Sequence, residues 1–196
     1  MRVISGSAGG ISLKTPTHDV RPTMDMVREA IFSSLGDLVI GARVLDLFAG
    51  SGSFGIEALS RGAAEAVFID NHPKSVEAIR FNLEKTRLDG TVIREDVFKY
   101  LRRVDQTFRL IFADPPYAKH AGDRNYALEI LESKPLSTAI DPEGILILER
   151  TPRRKDAVSG IWEITRLKQY GKTEVIFCVL ARKNHPKRSS DELIAD

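Results

Sequence analysis

The tetrapeptide Asp114-Pro115-Pro116-Tyr117 puts a carboxylate, a carbonyl and an aromatic ring into one turn. Two prolines fix backbone dihedrals and remove two N–H donors, so the turn is rigid and presents acceptors. That set suits a planar base with an exocyclic amine: Asp114 and the Pro115 carbonyl accept from the NH2 group while Tyr117 stacks on the ring. The same bonds concentrate electron density on a nitrogen whose lone pair is otherwise delocalised. Guanine offers N1–H and N2–H as a donor pair for both oxygens of a carboxylate, but an adenine amine also donates to one, so the turn leaves the base open.

A second constellation lies upstream, in VLDLFAGSGSFGIEAL at residues 44–59. Gly50, Gly52 and Gly55 let backbone approach a nucleotide-like ligand and let a helix pack on a strand, and their spacing also satisfies the dinucleotide fingerprint. Asp46 separates the alternatives, because a carboxylate before the glycines suits a cofactor carrying an ammonium and a sulfonium. S-adenosylmethionine carries both. Asp70 is placed to accept from the ribose hydroxyls and Asp96 from the adenine amine, with Asn71 and Val97 beside them in the same expected site. Either acid could instead cap the helix that follows it. Three acids at successive strand ends beside a glycine loop favour the ligand reading. Methyl transfer from a sulfonium to an aligned amine calls for no metal, and His18, His72, His120 and His185 lack ligand spacing.

To hold these groups, the chain alternates β-branched runs with amphipathic stretches, the pattern of βα units in a parallel sheet. Strands are expected at 43–48, 66–70, 91–94, 108–113 and 144–149, and helices at 53–61, 73–87, 97–103 and 124–133. Runs at 161–168 and 173–181 flank QYGK as a hairpin, so the expected sheet is seven-stranded and mostly parallel, with an antiparallel C-terminal hairpin. Before it, VISG and ISLKT form a small hairpin and residues 24–35 a helix with Val27, Ala30, Ile31, Phe32 and Leu35 on one side. The domain reading is an appendage over 1–40, a catalytic domain over 41–184 and a flexible tail over 185–196.

The 196 residues, 42% hydrophobic and 29% charged, suffice for one α/β core. No run approaches the roughly 18 apolar residues that span a bilayer, and MRVISGSAGG lacks a secretory apolar region, so a soluble cytoplasmic monomer with no membrane partner is expected. Cys178 is the single cysteine and reads as a buried thiol. The net charge of +2 divides unevenly, at −4 over residues 44–149 and +8 over 150–188. Such asymmetry points to a polyanionic partner, with Arg150, Arg153, Arg154 and Lys155 as phosphate contacts. The loop carrying Lys119, His120 and Arg124 could close over an extruded base.

The glycine segment together with DPPY resembles the Rossmann-like class I S-adenosylmethionine-dependent methyltransferases that act on amino groups. MRVISG, RPTMDMVREAIFSSL at 21–35 and YGKTEVIF at 170–177 narrow the resemblance to the RsmD type, over nearly the whole chain. It implies N2-methylation of one guanine in 16S rRNA, on a 30S particle or assembly intermediate. It also implies Arg21 near RNA and Thr23 near the cofactor's carboxylate, although Thr23 could equally cap the helix after it. Two departures remove basic residues that the family usually carries: Gly10 is followed by Ile11-Ser12-Leu13, and Met26 stands where an arginine is usual. An adenine-N6 methyltransferase acting on DNA or RNA, and an inactive ribosome- or nucleic-acid-binding factor, are the alternatives at this stage.

Overall fold

Strands form where β-branched and aromatic residues run between turn formers, and helices where the apolar period lengthens to that of a helix face. The computed structural model describes residues 1–16, 25–117, 122–152 and 160–181, and the chain divides into two compact units, Met1–Val104 and Asp105–Asp196. All seven expected strands are present.

The first unit holds β1 (Arg43–Leu47), β2 (Glu65–Asp70) and β3 (Thr91–Arg94), parallel and in the order β3-β2-β1. Four helices accompany them: α1 (Asp25–Leu35), α2 (Ser53–Ser60), α3 (Pro73–Thr86) and α4 (Val97–Leu101). Val44, Leu45, Leu47, Ala66, Val67, Phe68 and Ile69 are fully buried, as expected for parallel strands covered on both faces. Every residue of α2 is buried. Gly55 makes this possible, because a Cβ there would stand 2.3 Å from the Phe68 ring.

Residues 1–16 are sewn onto α2 and α3 by buried polar side chains. Glu57, fully buried, accepts from Ile4 N at 2.7 Å and Ser5 N at 3.1 Å. Ser60 accepts from Ala8 N at 2.9 Å and donates to the Ser5 carbonyl at 2.6 Å. Asn82 accepts from Lys14 N at 2.7 Å and donates to the carbonyls of Lys14 and Ser51, both at 2.9 Å. The expected N-terminal hairpin is short: one antiparallel bridge, Arg2↔Ser12, with Val3 N donating to the Ile11 carbonyl at 2.9 Å, Gly10 N to the Val3 carbonyl at 2.8 Å and Leu13 N to the Met1 carbonyl at 3.1 Å. On α1, the buried stripe is Val27, Arg28, Ile31, Phe32 and Leu35, so Arg28 takes the place expected of Ala30. Its guanidinium donates to the Arg2 carbonyl and to Asp25, and Nε lies 3.9 Å from Glu57. Burial pulls its pKa below the ordinary value, against the opposing pull of Asp25 and Glu57.

The second unit holds β4 (Phe108–Ala113), β5 (Ile140–Arg150), β6 (Trp162–Tyr170) and β7 (Thr173–Leu180) in the order β4-β5-β7-β6. β4 and β5 are parallel, while β7 runs antiparallel to β5 and β6. Two short helices, α5 (Tyr126–Glu132) and α6 (Lys134–Ala139), replace the single helix expected at 124–133, because Ser133 caps a new start and Pro135 sits in its first turn. β5 starts four residues earlier than the sequence pattern suggests. Asp141-Pro142-Glu143-Gly144 reads as a turn but is absorbed as an irregularity, the register passing from Phe108↔Ile140 to Leu110↔Ile145. Cys178 is buried, and Trp162 is core, its Nε1 donating to the Leu131 carbonyl at 2.9 Å. Among the described residues, no helix is long and apolar enough to cross a membrane.

Gly55→Ala should destabilise the protein by about 1–3 kcal/mol, the usual cost of forcing volume into a packed core. Chemical denaturation measures it, and an unchanged midpoint would mean that α2 can back away from Phe68 freely.

Candidate functional site

Parallel strands aligned in register bring their carboxyl ends together, and ligands of such sheets bind there. In the first unit, that edge carries Asp96, Asp70 and Asp46 on strands that are neighbours in that order. After β1 the backbone turns through left-handed residues, Phe48 at φ 56°, Gly50 at 55° and Gly52 at 76°. Phe48 is the notable one, since a side chain there carries a strain of about 1–3 kcal/mol that is concentrated at functional turns. Its ring meets Phe98 edge-on at 6.4 Å, a contact that the sequence did not suggest.

Gly52 is the N-cap of α2 and has no side chain to satisfy the helix's first N–H groups. Asp46 does so from the neighbouring strand: it is 2% exposed, and Oδ2 accepts from Gly55 N at 2.9 Å. Asp70 is half-buried and clamps the loop, with Oδ2 accepting from Gly50 N at 2.9 Å and Oδ1 from His72 N at 2.8 Å. The cap of α3 is therefore His72, whose Nδ1 accepts from Lys74 N, and not Asp70. Asp96 does cap α4, accepting from Lys99 N at 3.0 Å. Asn71 is exposed between Asp70 and His72, and Val97 is buried at 3%. Each carboxylate oxygen has two lone pairs, so these backbone bonds leave acceptor capacity toward a ligand's hydroxyl, amine or ammonium donors. The donor set thus fits a nucleoside-bearing cationic cofactor.

In the second unit, β4 runs into the Asp114–Tyr117 turn. Pro115 is buried, Asp114 and Tyr117 are half-buried and Pro116 is exposed. The Tyr117 hydroxyl donates to Glu149 Oε1 at 2.7 Å and lies 3.1 Å from Thr173 Oγ1. Burial raises its pKa well above the ordinary phenol value, and the negative charges of Glu149 and Asp114 add to that. Glu149 and Thr173 were not singled out from sequence. Their signal is faint, a polar residue near the end of one apolar strand and another at the start of the next but one.

The basic residues fall differently from expectation. Arg150 is 4% exposed, and its Nε and Nη2 both lie 2.6 Å from Glu174 Oε2 across the β5–β7 ladder. Burial and pairing remove it from the set of phosphate contacts. Arg124 is held bidentately by Glu129 at 2.7 Å, and Arg109 by Asp141 and Glu143 at 3.3 and 3.0 Å. Arg21, Thr23, Arg153, Arg154, Lys155, Lys119 and His120 lie outside the described residues. Met26, where a basic residue was expected, is 61% exposed on α1.

The family model described as conserved hypothetical protein 95 matches residues 1–179. A putative rRNA methyltransferase, YlbH, of Bacillus subtilis is 46% identical over 123 residues, covering 60% of this chain and 67% of its own length. The ribosomal RNA small subunit methyltransferase D of Buchnera aphidicola (subsp. Acyrthosiphon pisum) is 30% identical over 85% of this chain and 86% of its own. Among solved structures, a putative methyltransferase, yhhF, from Escherichia coli matches with a TM-score of 0.79 and 28% identity, covering 92% of this chain and 98% of that one.

Arg150→Ala should lower the unfolding free energy by about 3–5 kcal/mol, because it strands the Glu174 carboxylate in the interior. Denaturant titration decides the matter: an arginine that served only to grip phosphate would leave the midpoint in place.

Proposed function

Because the chain belongs to the conserved hypothetical protein 95 family, the RsmD-type methyltransferases, we propose that it transfers a methyl group from S-adenosylmethionine to the exocyclic N2 of a guanine in 16S rRNA. The observation that carries methylation of a base amine is the Asp114–Tyr117 turn at the carboxyl end of β4, and the choice of guanine N2 follows the family resemblance. The substrate is rRNA within a 30S particle or assembly intermediate, and the enzyme acts as a cytoplasmic monomer. Residues 41–184 form the catalytic domain and residues 1–40 the appendage that serves it.

The cofactor supplies a methyl group on a sulfonium, already a reactive electrophile. The protein's task is therefore to align the amine, exclude water and manage one proton. On the first unit, Asp46 would hold the cofactor's ammonium, Asp70 with Asn71 the ribose, and Asp96 with Val97 the adenine. Thr23, by the family resemblance, would hold the carboxylate. On the second, Tyr117 stacks on the extruded guanine while Asp114 and the Pro115 carbonyl accept from its amine. As the new N–C bond forms and the S–C bond breaks, nitrogen becomes cationic, and the carboxylate of Asp114 stabilises that charge until the surplus proton leaves.

Phosphate contacts fall to cations that have no carboxylate beside them. On the edge strand β6 and its turn, Arg166, Lys168 and Lys172 have no ion pair among the described residues. Together with Arg21, Arg153, Arg154 and Lys155 they form the proposed RNA-binding set.

Radiolabelled methyl transfer to naked 16S rRNA, 30S particles and DNA, followed by nucleoside analysis, should yield N2-methylguanosine from rRNA; N6-methyladenosine would sink the reading. Asp114→Ala should cut transfer by roughly 100-fold or more with cofactor affinity retained. Replacing Arg166, Lys168 and Lys172 together by alanine should flatten the log–log salt slope of RNA binding by about 2, from roughly 0.7 per phosphate on a single strand. An unaltered slope would remove that strand from the RNA surface.

A further inference from the structure

Stacking on a base uses the face of an aromatic ring and makes no demand on a phenol oxygen, yet the Tyr117 hydroxyl is tied down twice. It donates to Glu149 Oε1 at 2.7 Å and lies 3.1 Å from Thr173 Oγ1. Glu149 is 7% exposed and Thr173 6% exposed. A carboxylate kept out of water is costly unless hydrogen bonds compensate it, so an acid held at this position needs a reason. Strand register gives one. Ala113 pairs with Leu148, so Asp114 and Glu149 are the next residues of two adjacent parallel strands. The acid that grips the amine and the acid that grips the tyrosine therefore stand at neighbouring positions, Asp114 just past the end of β4 and Glu149 still within β5. Thr173 comes from the start of β7, whose Val175 is the register partner of Glu149.

A tyrosine side chain has two torsions: pinning the hydroxyl oxygen, which lies on the Cβ–Cγ axis, fixes the first, and because a phenol O–H prefers the plane of its ring, directing that bond at Glu149 beside Thr173 orients the second. We propose that Glu149 is a positioning residue for methyl transfer: with Thr173 it holds the Tyr117 hydroxyl, sets the plane on which the base stacks and so sets where the amine meets Asp114. This rests on the base-binding role of the Asp114–Tyr117 turn given above. The hydroxyl stays protonated through the neutral range, because burial raises its pKa, and it therefore remains a donor to the carboxylate.

The test compares the steady-state methylation of 16S rRNA by the full chain with Tyr117→Phe, Tyr117→Ala, Glu149→Gln, Glu149→Ala and the double variant Tyr117→Phe/Glu149→Ala. Misplacing a reacting group slightly costs up to about 100-fold. Tyr117→Phe and Glu149→Ala should each lower kcat/KM for RNA by roughly 10- to 100-fold, with the cofactor dissociation constant unchanged. Glu149→Gln keeps an acceptor oxygen and should recover most of the loss. The double variant should be no worse than the weaker single variant, since both changes remove one interaction. Multiplying losses in the double variant, or a Glu149→Gln variant as impaired as Glu149→Ala, would overturn the proposal. If Glu149→Ala does not fold, Tyr117→Phe decides alone, because it removes only the oxygen. Wild-type turnover by Tyr117→Phe with failure of Tyr117→Ala refutes the positioning role and spares the base-binding reading; wild-type turnover by both refutes each.

Discussion

Helix α2 has no cap of its own, and the first unit is organised around how that lack is met. Its N-cap is a glycine because the loop must pass through a left-handed residue there, so the free N–H of Gly55 takes its acceptor from Asp46 on β1. That bond works only if the helix lies close on the sheet, and the closeness requires a glycine at 55 against Phe68. A tightly seated helix is then buried on every side, so its polar residues must find partners at once. Glu57 and Ser60 find them in the backbone of residues 4–8. Glycine loop, helix and N-terminal segment are thus one connected arrangement with Asp46 as its fixed point.

The second unit places its charges by a different rule. Buried polar residues at the end of β5 are matched one by one: Arg150 with Glu174 across the β5–β7 ladder, Glu149 with the Tyr117 hydroxyl. Such pairs add little net stability over apolar packing, but they fix geometry, since a buried charge tolerates few arrangements. That is what a turn presenting acceptors to a planar base needs. Arg166, Lys168 and Lys172, with no ion pair among the described residues, are on the outer strand and its turn, where water screens them and a phosphate could reach them.

Most of the fold was legible because parallel βα units write themselves in period: the strands at 91–94 and 108–113 begin and end where the pattern puts them. The misreadings were local and have local causes. DPEG has turn chemistry but is carried by β5, because tertiary pairing to β4 outweighs it. KPLSTA has no helix-face pattern long enough to notice, yet Ser133 caps it. Arg150 was expected to contact phosphate, and only tertiary structure shows that it faces an acid in the interior, as Arg28 does too. In the site, residues that act through contiguous motifs were visible, Asp46 and Tyr117 among them. Glu149 and Thr173 were not, since their meaning lies in a register between strands far apart in sequence.

The attachment of residues 1–16 sets a schedule for synthesis. Ile4 is fastened by Glu57 and Lys14 by Asn82, sequence separations of 53 and 68 residues. At about 5–20 residues per second, the segment waits several seconds for its anchors, and its backbone donors are satisfied by water until then. It is made before its anchors on α2 and α3 and joins the structure only after α3 exists. Order in the glycine loop, which Asn82 touches through the Ser51 carbonyl, is therefore tied to a late, long-range closure.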